Sequence, residues 1–405
     1  MSFDFTSVID RAGNDALAFD AVLAAGDGPR GNAPEPPSEG FDLIPMWVAD
    51  MNFATAPAVT NAIAKRLAHP LFGYFAPTAE FFDAVSSWHA ARNGVEGIAP
   101  EHIGYDNGVL GGLVATLEAF TAPGDSVLVH SPTYIGFTGS IENAGRRIVL
   151  SPLVRDEAGV WRMDYADMER KLAENRIHFA VFCSPLNPTG RVWERWEIER
   201  AMEVYANANC VVVSDEIWSD LVLPGHTHIP TQSVSDDARR RTVALYAPSK
   251  TFNLAGLVGS YHLVYDPYVR DRVEAQASKC HYNAMNVLWM HALVGAYSSE
   301  GAAWLDELRE VIARNVERAY RFFTSEVSGI ECAKPEGTYM LFIDCERWCA
   351  EHGRTLDELL RAGWKVGVGW QDGRPFHGEH SIRLNLALPA ARLEEALGRL
   401  AAHVL

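Results

Sequence analysis

The chain has 405 residues, of which 48% are hydrophobic, so it is long enough to bury one large core or two smaller ones. Its formal net charge is −17 and no basic block interrupts this acidity, which argues against nucleic acid as a partner. Because there is no signal-peptide pattern, no apolar run long enough to span a bilayer and only six scattered cysteines, we expect a cytoplasmic protein with reduced thiols, no membrane segment and no metal site.

The first two thirds of the chain predict an arm followed by a large α/β domain. Residues 1–45 include a stretch rich in glycine and proline and are predicted to be an irregular N-terminal arm that belongs to a smaller domain. From about 100 to 265, apolar runs of strand length alternate with helix-length segments, which is typical of a mostly parallel sheet. We therefore predict a large α/β domain over residues 46–290. Its seven predicted strands are HIGYDN, DSVLVHS, RRIVLSP, HFAVFCSP, CVVVSDE, TVALYAPSK and GSYHLVY.

The last third predicts a smaller domain of mixed type. Long amphipathic helices dominate after residue 290, and two further strand-like runs follow, GTYMLFIDC and SIRLNLAL. The run RLEEALGRLAAHVL has the periodicity of a closing helix. Residues 291–405 are therefore predicted to form a small α+β C-terminal domain with its own sheet.

Two of the predicted strands lead into segments that could bind a flat, phosphorylated ligand. Ligands of open parallel sheets bind beyond the carboxyl ends of the strands. After the first strand, the turn GVLGGL with Leu110, Gly111 and Gly112 opens a helix, whose free N–H groups would favour a phosphate. The same glycines could instead only permit tight helix packing, and no G-x-G-x-x-G pattern is present. Tyr134 follows the second strand and is either a core aromatic or a platform for a ring.

Three more strands end on polar side chains. Asn187 opens the turn NPTG and could offer an amide at the sheet edge. Asp215 follows four apolar residues, which is costly for a charge without a cation nearby, although a helix N-cap is the simpler interpretation. Ser249 and Lys250 follow the strand TVALY, and none of the other five lysines lies at a comparable strand-to-loop transition.

Pyridoxal phosphate is the cofactor that this set of side chains suits. It needs a lysine for a Schiff base and a carboxylate beside its pyridine nitrogen, roles that Lys250 and Asp215 could take. Asn187 could hydrogen-bond the phenolic oxygen of the ring, Tyr134 could stack on the ring, and Ser249 with the GVLGGL amides could hold the phosphate. Lys250 would then also be the general base that moves the substrate Cα proton.

The motifs NPTGRVW, VVVSDEIW and APSKTFNLAG, in this order, resemble the class I and II aminotransferases. The stretches PMWVADMNF, LFGYFAP and SIRLNLALP are more similar to the cystathionine β-lyase or C–S lyase branch of that superfamily. The resemblance covers essentially the whole chain. It implies the α/β fold called fold-type I, in which a large domain with a mostly parallel seven-stranded sheet is joined to a smaller α+β domain, and it implies pyridoxal phosphate as cofactor.

The resemblance also implies further site residues. Tyr74 would reach the cofactor phosphate of a neighbouring subunit, so that two sites form in a homodimer. Arg383 would clamp the substrate α-carboxylate, Ala49 would contact the substrate as well, and Trp218 would contact the cofactor. Arg383 is conspicuous even without the family, because an arginine in an apolar strand is costly to bury unpaired.

Three positions depart from the family pattern. Class I aminotransferases tend to have a phosphate-binding arginine where this chain has Val258, and its absence favours the lyase branch. Trp218 lies where relatives usually have tyrosine or histidine, and Asn52 replaces an aspartate of the stretch WVADMDF.

The leading functional hypothesis is β-elimination from cystathionine or another cysteine S-conjugate, which gives pyruvate, ammonia and a thiol. Transamination of an L-amino acid is the alternative, because it shares the early steps, and a biosynthetic specialist on the same scaffold stays open. A regulator without activity is disfavoured by the complete set of Lys250, Asp215, Asn187 and Arg383. An NAD-dependent oxidoreductase is disfavoured by the missing nucleotide fingerprint.

Overall fold

The computed structural model describes residues 2–23 and 32–405. Residue 1 and residues 24–31 of the predicted arm therefore lie outside the described residues. Over the described ranges, no helix is long and apolar enough to cross a membrane. The chain divides into two compact units. The larger unit comprises Thr55–Leu186 and Arg191–Asp306, and the smaller unit comprises the residues up to Ala54, Asn187–Gly190 and Glu307–Leu405.

The strands and helices follow the chain in this order. The strands are Ile44–Pro45 (β1), Ile103–Asp106 (β2), Ser126–Ser131 (β3), Arg147–Pro152 (β4), Val154–Arg155 (β5), Trp161–Arg162 (β6), Phe179–Cys183 (β7), Val211–Asp215 (β8), Thr242–Tyr246 (β9), Ser260–Leu263 (β10), Met340–Asp344 (β11), Val368–Gly369 (β12), Gln371–Asp372 (β13) and Ser381–Asn385 (β14). The helices are Leu17–Leu23 (α1), Pro57–Leu67 (α2), Ala79–Asn93 (α3), Val109–Phe120 (α4), Ile135–Asn143 (α5), Tyr165–Glu174 (α6), Arg195–Asn207 (α7), Asp236–Arg241 (α8), Pro267–Cys280 (α9), Val287–Ala296 (α10), Ser299–Arg321 (α11), Glu346–His352 (α12), Leu356–Lys365 (α13) and Ala390–His403 (α14).

A seven-stranded sheet forms the centre of the larger unit, in the order β2-β10-β9-β8-β7-β3-β4. Strand β10 runs antiparallel to both of its neighbours and the other pairings are parallel. The central strands FAVFC and TVALY are buried throughout, as expected when both faces of a parallel sheet are covered. Each of the seven predicted strands is present, so the predicted fold class is confirmed.

The smaller unit contains an antiparallel three-stranded sheet in the order β11-β14-β13 and a short parallel pair, β1 with β12. The two strand-like runs at the C-terminal end correspond to β11 and β14. Helix α13 begins with a capping box in which Thr355 and Glu358 bond each other's backbone N–H groups, a standard helix start. The domain boundaries predicted from the sequence, 1–45, 46–290 and 291–405, stay a prediction, because the two compact units are a division by contacts and do not test them.

Candidate active site

The first turn of α4 offers a place for an anion at the carboxyl end of β2. Gly108 precedes the helix with φ of +78°, a conformation that glycine adopts without strain. Leu110 and Gly111 lie in the first turn, where backbone N–H groups have no acceptor within their own helix. These amides and the positive end of the helix dipole suit a phosphate, and the contact of Leu110 and Gly111 with a cofactor stays a prediction.

Gly112 has a packing role in the same helix. Its N–H donates to the carbonyl oxygen of Gly108 at 3.1 Å. A Cβ atom at this position would lie 2.8 Å from both Asp106 Oδ2 and Leu245 Cδ2, so a larger residue would force these side chains to shift. The packing interpretation considered for these glycines therefore describes Gly112 well, while a contact of Gly112 with a cofactor stays a prediction.

Tyr134 lies next to the α4 turn. It is the residue before α5, half-buried, and its ring packs edge-on against Phe137 with centroids 5.3 Å apart. A Cβ atom on Gly136 would lie 2.3 Å from the Tyr134 ring and 3.0 Å from Leu110 Cδ1. The fold thus brings the ring of Tyr134 and the first turn of α4 together around a glycine.

Asp215 is a buried carboxylate at the end of β8. Its Oδ1 accepts a hydrogen bond from the backbone N–H of Ile217 at 3.0 Å. Burial raises the pKa of Asp215 to about 7, whereas the positive charge of Lys250 acts to lower that pKa and the neighbouring Glu216 acts to raise it. A carboxylate in this setting gains most from a second cation, such as a protonated pyridine nitrogen.

Lys250 lies in the turn that follows β9, the neighbour of β8 in the sheet. Its side chain is half-buried, and its Nζ lies 5.8 Å from the centre of the Trp218 ring. Ser249, directly before it, accepts the N–H of Leu254 at 3.0 Å with its carbonyl oxygen. Because β8 and β9 are parallel neighbours, Asp215 at the end of β8 and Lys250 after the end of β9 lie at the same edge of the sheet.

In the smaller unit, Arg383 on β14 is buried and held in one orientation. Its Nη1 donates to Asn187 Oδ1 at 3.1 Å, and its Nη2 donates to the carbonyl oxygen of Trp47 at 2.8 Å and to Gln371 Oε1. The guanidinium plane lies over Phe376, 4.2 Å from the ring centre. Two predicted site residues, Arg383 and Asn187, are therefore in direct contact.

The segment that contains Ala49 is also fixed within the smaller unit. The Ala49 carbonyl oxygen accepts the hydroxyl of Tyr339 at 3.0 Å. Asn52 accepts a hydrogen bond from Arg11 at 3.0 Å through Oδ1, and the same guanidinium pairs with Asp50 at 2.6 Å. At the position where the family pattern has an aspartate, this chain therefore uses a neutral amide beside an arginine that is already paired.

Tyr74 is fully exposed in the loop between α2 and α3. Its neighbours Leu71 and Phe72 are exposed as well, and the loop borders a cavity of about 760 Å³ in the larger unit. Three adjacent large apolar side chains in water are typical of a surface that another chain covers.

Of the twelve predicted site residues, nine lie in the larger unit and three, namely Ala49, Asn187 and Arg383, in the smaller one. Sequence reasoning did not include Glu216, Gln371 or Phe376. The signal for Glu216 was present, since it is a second charge after the apolar run VVVS. Gln371 lies in a two-residue strand and Phe376 in a short 3₁₀ turn. Elements this short show no hydrophobic periodicity in the sequence.

Comparison with known proteins agrees with this geometry. The family model described as aminotransferase class I and II matches residues 42–400. The protein named cystathionine beta-lyase PatB of Bacillus subtilis is 36% identical over 364 residues, which cover 89% of this chain and 92% of that protein. The solved structure of the PLP-bound C-S lyase from Staphylococcus hominis has a TM-score of 0.87 at 26% identity, covering 100% of this chain and 99% of that one. That of a PLP-bound putative aminotransferase from Clostridium difficile has a TM-score of 0.89 at 29% identity, covering 98% and 99%.

The chain therefore belongs to the aminotransferase class I and II family. The resemblance predicted from NPTGRVW, VVVSDEIW and APSKTFNLAG is confirmed over nearly the whole length.

Proposed function

We propose that this protein is a pyridoxal phosphate-dependent C–S β-lyase that cleaves cystathionine or another cysteine S-conjugate to pyruvate, ammonia and a thiol. The names of the PatB relative and of the Staphylococcus hominis structure support the reaction, and agree with the function predicted from the sequence. The single observation that carries the proposal is that buried Asp215, at the end of β8, lies close enough to Lys250, after the end of the neighbouring strand β9, to feel its positive charge.

The side chains of the larger unit fit the cofactor. Asp215 would take the protonated pyridine nitrogen, because its raised pKa reports a buried carboxylate that a cation would stabilise. The first-turn amides of α4, at Leu110 and Gly111, would hold the phosphate together with Ser249. Tyr134 would stack on the pyridine ring of the cofactor, and Trp218 would line the site around the Lys250 amine.

When bound, pyridoxal phosphate supplies an electron sink for the pair of electrons left at the substrate Cα. The Nζ of Lys250 takes the proton from Cα, acting as the general base. The carboxylate of Asp215 would lie beside the pyridine nitrogen, and its negative charge would favour the protonated form of that nitrogen. In the smaller unit, the positive guanidinium of Arg383 would bind the α-carboxylate of the substrate through a charge-assisted hydrogen bond, and its contact with Asn187 would keep the guanidinium in place.

The protein is further proposed to be a cytoplasmic homodimer. The exposed apolar side chains Leu71, Phe72 and Tyr74 support a second copy of the chain as the cover of this loop. Tyr74 would then contribute its hydroxyl to the phosphate of the partner's cofactor, which makes the two sites of the dimer interdependent.

The first experiment supplies purified protein with pyridoxal phosphate and L-cystathionine and follows pyruvate and free thiol, with and without an added 2-oxo acid. We expect pyruvate and thiol without the 2-oxo acid. Transamination is the second candidate, because the family is described by that activity. A new amino acid that forms only when the 2-oxo acid is present, with no pyruvate otherwise, would replace the lyase by an aminotransferase.

A further inference from the structure

Two carboxylates follow Asp215 in the loop after β8, and both contact the segment that carries Lys250. They are Glu216, which is buried, and Asp220, which is half-buried. The Nζ of Lys250 has to act on one proton of a bound substrate, so the backbone that carries it needs a defined position relative to Asp215.

Glu216 fixes the start of that segment. Its Oε2 accepts the hydroxyl of Tyr246, the last residue of β9, at 2.6 Å, and its backbone N–H donates to the carbonyl oxygen of Leu245 at 2.9 Å. His228 Nε2 lies 2.7 Å from the same Oε2. Burial would raise the pKa of Glu216, but the hydrogen bond and charge of His228 and the hydroxyl of Tyr246 hold that pKa below its usual value. Glu216 therefore stays ionised and keeps its hydrogen bonds.

Asp220 fixes the other end. Its Oδ2 accepts the hydroxyl of Thr251, the residue directly after Lys250, at 2.9 Å. Its Oδ1 accepts the indole N–H of Trp88, also at 2.9 Å. Thr251 is completely buried, so no water competes for this hydroxyl. The Asp220–Thr251 bond thus joins the Asp215 loop to the residue adjacent to the lysine.

The turn between these two anchors is itself closed by backbone bonds. The N–H of Phe252 donates to the carbonyl oxygen of Pro248 at 2.8 Å, and the Phe252 ring is fully buried against Trp304 with centroids 5.5 Å apart. The start, the end and the interior of the turn that carries Lys250 are therefore all held by hydrogen bonds and packing.

We propose that Asp220 is a positioning residue for the reaction, which acts through the Thr251 hydroxyl to hold Lys250 where its amine meets the substrate proton. This inference rests on the proposed function, because it takes Lys250 as the reacting group. A merely structural role for Asp220 would show in stability alone. A positioning role also changes the cofactor spectrum and the turnover number.

The experiment compares Thr251→Val with Thr251→Ser in the holoenzyme. Valine keeps the shape of the side chain and removes the hydroxyl, whereas serine keeps the hydroxyl. We expect Thr251→Val to lower kcat by about 10- to 100-fold with KM changed less than about threefold, in the range that small misplacements of catalytic groups produce. We also expect it to shift the pH midpoint of the cofactor's visible absorption and to slow borohydride trapping of the cofactor. Thr251→Ser should restore all of these values to near wild type.

Trp88→Phe is the matched control, because it removes the other hydrogen bond to Asp220 and leaves Thr251 untouched. It should lower the unfolding free energy without moving kcat or the absorption midpoint. If Thr251→Val does not fold, Thr251→Ala gives the same comparison, since the space it opens admits water to Asp220. Wild-type kcat and absorption in the hydroxyl-free variant would overturn the proposal.

Borohydride trapping of the cofactor distinguishes a failure of this inference from a failure of the proposed function. Borohydride reduction of wild-type holoenzyme should label the peptide that contains Lys250. If the label is found on another lysine, the proposed function fails whatever the Thr251 variants do. If the label is on Lys250 and Thr251→Val matches wild type, only the positioning role of Asp220 fails.

Discussion

At the scale of single residues, the chemistry of this protein depends on a carboxylate kept away from water. Asp215 is buried, and burial raises its pKa to about 7 even though Lys250 opposes the shift. Without the cofactor, the folded protein therefore has to bury a poorly compensated charge at neutral pH. The same property makes the site ready for a protonated nitrogen.

Asp215→Asn should change the pH dependence of stability in the cofactor-free protein. The folded pKa of Asp215 lies above the unfolded value of 3.8, so the folded state binds a proton between about pH 4 and pH 7 that the unfolded chain has lost. The stability that this group contributes is present at low pH and is lost as the pH rises through 7, by on the order of 4 kcal/mol in all. Urea unfolding at pH 5 and pH 8 should show the larger part of this loss, on the order of 3 kcal/mol, in the wild type and not in Asp215→Asn.

The exposed Asp236 provides the control for this measurement. Asp236→Asn should follow the wild-type pH profile. Parallel profiles for wild type and Asp215→Asn would mean that Asp215 is not a high-pKa carboxylate.

Arg383→Lys should weaken substrate binding more than it disturbs the fold. Lysine keeps the positive charge but lacks the planar guanidinium that donates to several acceptors at once, so it loses the hydrogen bond from Arg383 to Asn187. We expect kcat/KM to fall by about 10²-fold or more, on the scale of a lost buried charge pair. Steady-state kinetics with L-cystathionine, together with the thermal midpoint, measure both effects. Unchanged kcat/KM would remove Arg383 from the substrate site.

Sequence analysis finds those site residues whose chemical character is unusual for their position in a predicted strand or loop. Lys250 and Asp215 are charged residues close to the ends of apolar, strand-forming runs, where a charge is costly to bury, so their position predicts a function. The sequence does not identify Gln371, because a neutral side chain is unremarkable until the fold places it beside Arg383. Asp220 also has no signal, since its contact with Thr251 joins residues from two different loops.

At the scale of secondary-structure elements, the predictions succeed where apolar runs are long. All seven strands of the large sheet are runs of four to six residues, with turn residues around them. The antiparallel direction of β10 could not be predicted, because direction depends on which neighbours a strand finds. The two-residue strands β1, β5, β6, β12 and β13 are too short to show any period.

Helix α4 illustrates how one element combines packing and binding. Gly112→Ala should destabilise the protein by about 1–3 kcal/mol, because the new Cβ would overlap Asp106 and Leu245. Gly398→Ala in α14 is the matched control, since it is a helical glycine with no atom within 4 Å of its Cβ position and should gain about 0.5–1 kcal/mol. Denaturant unfolding measures both changes. Equal effects of the two substitutions would contradict close packing at Gly112.

At the scale of the whole molecule, the proposed dimer predicts complementation between two inactive variants. If Tyr74 serves the partner's site, a heterodimer of Lys250→Ala with Tyr74→Ala has one site with both changes and one site with neither. Subunit exchange between the two inactive homodimers should then restore about a quarter of the wild-type activity. No recovery, with exchange confirmed by mass spectrometry, would place Tyr74 in its own subunit's site or outside any site.

The smaller unit is built from segments that lie far apart in the sequence, so these segments are synthesised at different times and can pair only after the last of them has been made. Strand β1 pairs with β12, and Ile44 meets Val368 only after more than 300 further residues have been added. At a synthesis rate of about 5–20 residues per second, this takes roughly 15 to 60 seconds. The first residues to leave the ribosome are thus among the last to find their contacts. During that interval they are a natural target for chaperones.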